Sequence, residues 1–160
     1  MLSVESYIDM VASSQLISID LLVRNKDGKI LLGKRRISPA KGWYFVPGGR
    51  VYKNETLKEG ATRVLRCETG LKMKLQPRCV SEHIYPENFC GAKDQNGKVI
   101  NTHYVCFAFD VDVESSSVDE NAFKLQHEDM IWVDPEDISS RADIHEYVRL
   151  YFTPDAYNRF

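Results

Sequence analysis

No stretch of this 160-residue chain approaches the roughly 18 consecutive apolar residues that a membrane-spanning helix needs, so a soluble protein is expected. The opening MLSVESYIDMVASSQ carries no basic residue ahead of its apolar positions, which excludes the charge order of a secretory signal and predicts a cytoplasmic location. There is no CxxC pair. Cys67, Cys79, Cys90 and Cys106 fit neither a zinc framework nor a dense disulfide scaffold, and they read as free thiols, mostly buried. Nor is there an excess of positive charge: 21 Lys and Arg stand against 23 Asp and Glu, for a net charge of -2. Such a chain has no overall attraction for a polyanion, which argues against nucleic acid and membrane surfaces as partners. Any phosphate must be held by a few locally placed arginines. Repeats and linkers are also missing, so residues 1–160 are expected to form one domain around one core.

What is present is a chain of short β-rich runs with two longer helical patterns. Ser3 is placed to cap a short peripheral helix with Val4, Ile8 and Val11 on one stripe. LISIDLLVRNKDGKILLGKR reads as a hairpin turning at Asn25 to Gly28, and WYFV as a buried strand that ends in Pro47-Gly48-Gly49. From Glu55, apolar residues at Leu57, Ala61, Val64 and Leu65 have helical spacing, and Gly70 supplies a stop. MKLQPRCVSEHIY and NTHYVCFAFDVDV follow as strands around a polar insert, PENFCGAKDQNGK, long enough to cover a site. DMIWVD is another strand; Pro135 opens a helical turn, and DIHEYVRLYF is a terminal helix. Strands outnumber helices, and the two helices must cover sheet faces. The expected class is α+β.

One spacing carries chemistry. Gly49, Glu55, Arg63, Leu65, Glu68, Gly70 and Leu71 fill seven of the nine specified positions of a glycine loop and helix that resembles the Nudix box. The two positions that differ are glutamates in that pattern and are Val64 and Cys67 here. In a helix, 64, 67 and 68 share a face, so a triple carboxylate stack is reduced to Glu68 alone. A second phosphate pattern, Gly28 to Lys34, is rejected as a P-loop, because Ile30, Leu31 and Leu32 are strand-like and position 35 is arginine rather than Ser or Thr.

The reduced box is similar to that of the GDP-mannose mannosyl hydrolases, a Nudix subfamily in which water attacks the sugar carbon. LISIDLLV, LLGKR, GWYFVPGGRV, Asn88-Phe89, THYV and QHED match that subfamily's pattern in order, from about residue 16 to 132. The resemblance implies a Nudix-like α/β/α sandwich with a mixed β-sheet. It also implies one Mg²⁺ per subunit, replaceable by Mn²⁺, held by the Gly49 carbonyl, Glu68 and Gln126. His127 is then the general base, and Arg35 and Arg50 stabilise the charge on the departing diphosphate. Asp20 breaks an apolar strand, which is costly unless it is paired, so it serves either sugar recognition or a local hydrogen bond. His83 and Tyr104 match polar positions near substrate, although an alternating strand also places tyrosine in a core. The implied reaction is hydrolysis of GDP-mannose, or another GDP-hexose, to GDP and free sugar with inversion at C1. The resemblance further implies a homodimer. Two other readings stay open: a pyrophosphohydrolase cleaving a nucleotide sugar at phosphorus, aided by carboxylates such as Glu55, and a non-catalytic nucleotide-binding module.

Overall fold

The computed structural model describes residues 3–86, 91, 93, 94, 96–114 and 117–153. Asn88-Phe89 and Cys90 lie outside the described residues. The element order is α1 (Val4–Ser13), β1 (Leu16–Arg24), β2 (Ile30–Arg35), β3 (Tyr44–Phe45), β4 (Gly48–Arg50), α2 (Leu57–Thr69), β5 (Gln76–Tyr85), β6 (Thr102–Asp112), α3 (Glu120–Lys124), β7 (His127–Val133), α4 (Pro135–Ile138) and α5 (Glu146–Leu150).

Seven strands form one mixed sheet. Its main path runs β3-β2-β1-β6-β5, with β4 added to β1 and β7 added to β2. β1 and β6 pair in parallel from Leu16 opposite Tyr104 to Arg24 opposite Asp112, whereas the other named pairs are antiparallel. The expected mixed α+β fold is what the chain adopts. The central strand β1 alternates Ile19, Leu21 and Val23 toward α2 with Ser18, Asp20 and Leu22 toward α5. One core packs Ala61, Val64, Leu65 and Phe123 on the first face; the other packs Phe45, Ile138, Ile144, Val148 and Tyr151 on the second. Asp20 thus sits in a row of buried apolar residues on the α5 side.

α2 starts where local chemistry tells it to. Thr56 accepts from the Glu59 amide while the Glu59 carboxylate accepts from the Thr56 amide, and Gly70 closes the helix at φ +75°. This capping box places the first helical residue at Leu57 rather than Glu55. Three further expectations are corrected. β5 begins at Gln76, not Met73, because its pairing with β6 starts at Gln76 opposite Asp110. The terminal helix is limited to Glu146–Leu150, because His145 is its N-cap and its own backbone bonds to Tyr44. A short helix, α3, occupies a stretch with no long periodicity: Asp119 caps it, and Phe123 is its one fully buried anchor. Finally, of the three described cysteines only Cys106 is buried, since Cys79 is half-buried and Cys67 exposed. Among the described residues, no helix is long and apolar enough to cross a membrane.

Candidate active site

β1 fixes the glycine loop. Ser18, Ile19 and Asp20 pair with Arg50, Gly49 and Gly48 of β4. A Cβ on Gly48 would fall 2.7 Å from the Ile19 carbonyl oxygen and 2.8 Å from Asp20 Oδ1, so only glycine allows this approach. The loop is then latched to α2. Arg63 donates from Nε and Nη2 to the two Glu55 oxygens, each at 2.7 Å, and from Nη2 to the Arg50 carbonyl at 2.7 Å. Its guanidinium also stacks 4.0 Å over Tyr52. With the Tyr52 amide bound as well, Glu55 has both oxygens engaged and serves the loop's shape.

The loop, α2 and the sheet enclose a cavity of about 860 Å³, within the usual range of small-molecule sites. Asp20, Arg35, Gly49, Arg50, Glu68, His83, Tyr104 and Gln126 all line it. The sequence pointed to each of these. Among the described lining residues there are five cations, Arg35, Arg36, Lys41, Arg50 and Arg63, against two carboxylates, Asp20 and Glu68. The chain is acidic overall and basic here, which suits an anionic ligand. Sequence reasoning missed Arg36 and Lys41, which flank the recognised Arg35, and also Tyr7. Tyr7 lies 4.4 Å under the Arg50 guanidinium and brings α1, expected to be peripheral, into the cavity wall. An aromatic on the buried stripe of a helix gives no sign of that from sequence.

His127 is brought to the site without lining the cavity. It opens β7, is 2% exposed, and stacks on Phe123 at a centroid distance of 4.3 Å. Its Nε2 lies 3.1 Å from Glu68 Oε2, while Gln126 Nε2 donates to Glu68 Oε1. Nδ1 is buried with no hydrogen-bond partner among the described residues. The ring fits only because position 33 is glycine: a Cβ there would be 2.4 Å from His127 Cγ and Nδ1 and 2.7 Å from Phe123 Cε1. Gly33→Ala is therefore expected to push the ring off Glu68 and to cost about 1–3 kcal/mol by overpacking. Urea midpoints and turnover, measured together, check it; unchanged values for both would mean that the ring has room to move.

The residues fit one hard cation. Glu68 is a 3% exposed carboxylate at the cavity wall, which Gly49 and Gln126 also line, and with the Gly49 carbonyl and the Gln126 amide oxygen it would offer an all-oxygen donor set. Val64 is packed into the core and Cys67 lines the cavity where further carboxylates would be needed for a second or third ion.

On the opposite wall a buried polar group surrounds Asp20. Tyr151 donates to Asp20 Oδ2 at 2.6 Å, and Tyr151 also contacts Ser81 Oγ at 3.0 Å and His83 Nε2 at 3.3 Å. Burial raises the Asp20 carboxyl to about 6, with the Tyr151 hydroxyl and Arg35 pulling it back. Burial, with His145 adding to it, lowers His83 to about 3, so its ring is neutral. Burial also drives the Cys106 thiol well up. Asp20, His83 and Cys106 have one donor atom each within 4.8 Å of the others.

Residues 15–155 match the NUDIX domain. The chain is 34% identical over 143 residues to the low-salt glycan biosynthesis protein Agl8 of Haloferax volcanii, covering 89% of this chain and 83% of that one. It is 42% identical over 60 residues to the ADP-ribose pyrophosphatase of Methanocaldococcus jannaschii, covering 38% of this chain and 35% of that one. Its fold is similar to that of the MutT protein from Methanosarcina mazei Go1, with a TM-score of 0.65 at 24% identity, covering 89% and 94% of the two chains. The chain belongs to the Nudix family and is a hydrolase of nucleoside-diphosphate compounds.

Proposed function

We propose that the protein hydrolyses GDP-mannose, or a related GDP-hexose, to GDP and the free sugar by attack of water on sugar C1 with inversion. The observation that carries this reading is the single carboxylate that the loop and helix present to the cavity. Val64 and Cys67 replace two glutamates, and Glu55 is held by Arg63, which leaves Glu68 for a cation. Attack at phosphorus by clustered metals lacks its ligands, whereas a diphosphate is already a good leaving group at carbon. A bound Mg²⁺ at Gly49, Glu68 and Gln126 supplies charge neutralisation to that diphosphate.

The protein's own groups do the rest. Arg35 is steadied by an Nε bond to the Pro39 carbonyl at 2.8 Å, and Arg50 by Tyr7; both present guanidinium groups to the oxygens that gain charge as the C1–O bond breaks. The electron pair leaves with GDP, and the water oxygen bonds to C1. His127 is reached from the cavity by way of Glu68, so the proton lost by the water is received by the Glu68–His127 pair. Asp20, His83 and Tyr104, grouped on the other wall, are assigned to the sugar. The role of the Haloferax relative in glycan biosynthesis is consistent with a nucleotide-sugar substrate. The subunit is proposed to act as a homodimer, which sedimentation tests.

Bond position decides the reading. In ¹⁸O-water, label is expected in the released sugar. Label in phosphate would restore cleavage at phosphorus, the activity named for the Methanocaldococcus relative. Tight nucleotide-sugar binding with no product would instead make this a binding module.

A further inference from the structure

Within the described residues one cluster has the donors of a soft-metal site and is separate from Glu68 and Gln126. We infer that Asp20, His83 and Cys106 form a binding site for a thiophilic divalent cation, of which Zn²⁺ is the type, in the cavity wall opposite Glu68. The binding does not depend on the substrate proposed above.

Geometry is the first support. With Zn–S near 2.3 Å and Zn–N and Zn–O near 2.0–2.2 Å, tetrahedral ligands stand about 3.3–3.6 Å apart. Cys106 Sγ lies 3.2 Å from His83 Nδ1, and His83 Nδ1 lies 3.9 Å from Asp20 Oδ2. With all three donors inside 4.8 Å, closing on an ion asks for movements of about 1 Å or less.

The second support is the shell around the ligands. His83 Nε2 sits 3.2 Å from Ser81 Oγ and can donate to it, which leaves the Nδ1 lone pair facing Asp20 and Cys106. Tyr147 stacks flat on the same ring at 4.3 Å and holds its plane. Ser18 Oγ donates to Cys106 Sγ at 3.0 Å, the contact a thiolate needs, and Tyr151 does the same for Asp20. Each ligand therefore arrives with its orientation already set.

Charge is the third. Asp20, His83 and Cys106 are 5%, 1% and 1% exposed. A carboxylate, a thiolate and a neutral imidazole carry two negative charges between them, which one divalent ion cancels. The filled site is neutral, the only loading a buried position tolerates at low cost. Sulfur and nitrogen donors exclude Mg²⁺, which selects oxygen, so the two cations have separate addresses in one cavity. The fourth position faces the cavity, since all three side chains line it.

X-ray absorption on the zinc-loaded full chain tests this directly. One sulfur near 2.3 Å is expected. It should persist when Cys67, Cys79 and Cys90 are all replaced by serine, leaving Cys106 as the sole thiol, and vanish in Cys106→Ser. Asp20→Asn and His83→Gln should each weaken Zn²⁺ at least tenfold in a competition titration. The proposal is overturned by a zinc shell without sulfur, by sulfur that survives Cys106→Ser, or by affinity unchanged in both Asp20→Asn and His83→Gln. Should the triple serine variant fail to fold by circular dichroism, the wild type against Cys106→Ser comparison decides alone.

Discussion

Replacing His127 by glutamine is expected to lower kcat for the nucleoside-diphosphate substrate by about 10²- to 10⁴-fold, the usual size of a general-base contribution. Glutamine keeps an N–H to donate to Glu68 Oε2 where His127 Nε2 now lies at 3.1 Å, but it accepts no proton. The substitution therefore separates two roles. If the Glu68–His127 pair takes the water's proton, kcat should collapse in the variant while KM stays near the wild-type value. If His127 only positions Glu68, the variant should retain most of kcat. A coupled assay of product release reads both. A kcat within a few-fold of wild type removes His127 as proton acceptor.

Asp20→Asn is expected to stabilise the fold at alkaline pH. The wild-type carboxyl is raised from 3.8 to about 6 and is 5% exposed, so the folded state holds its proton more tightly than the unfolded state does. Stability from that proton is fully present below about 3.8 and is lost as pH rises through about 6; the shift corresponds to about 3 kcal/mol. Asparagine has no charge to bury and still accepts from Tyr151. The two proteins should thus be similar near pH 4 and diverge by up to about 3 kcal/mol by pH 8, with the variant the more stable. His83, which faces Asp20 and stays neutral down to about 3, is common to both and cancels in the difference. Denaturant titrations at a series of pH values test the sign. A gap independent of pH would mean that the Asp20 carboxyl ionises without penalty. A stabilising substitution at the cavity wall would mark Asp20 as retained for binding at the expense of stability.

The sequence was most informative where chemistry is local. Turn residues placed the β1–β2 hairpin, the Ser3 cap placed α1, and fixed spacing placed Gly49, Glu68 and Gly70 on one loop and helix. Asp20 was visible as a misfit in an apolar strand, and the structure gives it the local hydrogen bond that was one of its two readings, from Tyr151, at a place where it also lines the cavity. Hidden were the features that depend on distant partners. Gly33 reads as an ordinary strand residue until the His127 ring is seen against it. Cys106 reads as strand filler until β1 and β5 bring Ser18, Asp20 and His83 around it. α3 has too few residues for a period, and only its packing beside α2 accounts for it. His127 matched a motif, but no motif reports that its ring lies behind Glu68 and outside the cavity surface.

The parallel register of β1 with β6 has a consequence for the order of assembly. Ser18 and Cys106 touch across 88 positions of chain, whereas β1 meets the glycine loop through the much shorter pairing of Ser18, Ile19 and Asp20 with Arg50, Gly49 and Gly48. Long loop closures are made late and slowly. During synthesis the glycine loop, its helix and the β1 strand they pack on are complete by residue 71, while His83, Tyr104, Gln126 and His127 are still unmade. A nascent chain stalled before β6 therefore carries the whole recognisable motif but an unfinished cavity, and Glu68 meets Gln126 and His127 only once β7 is made.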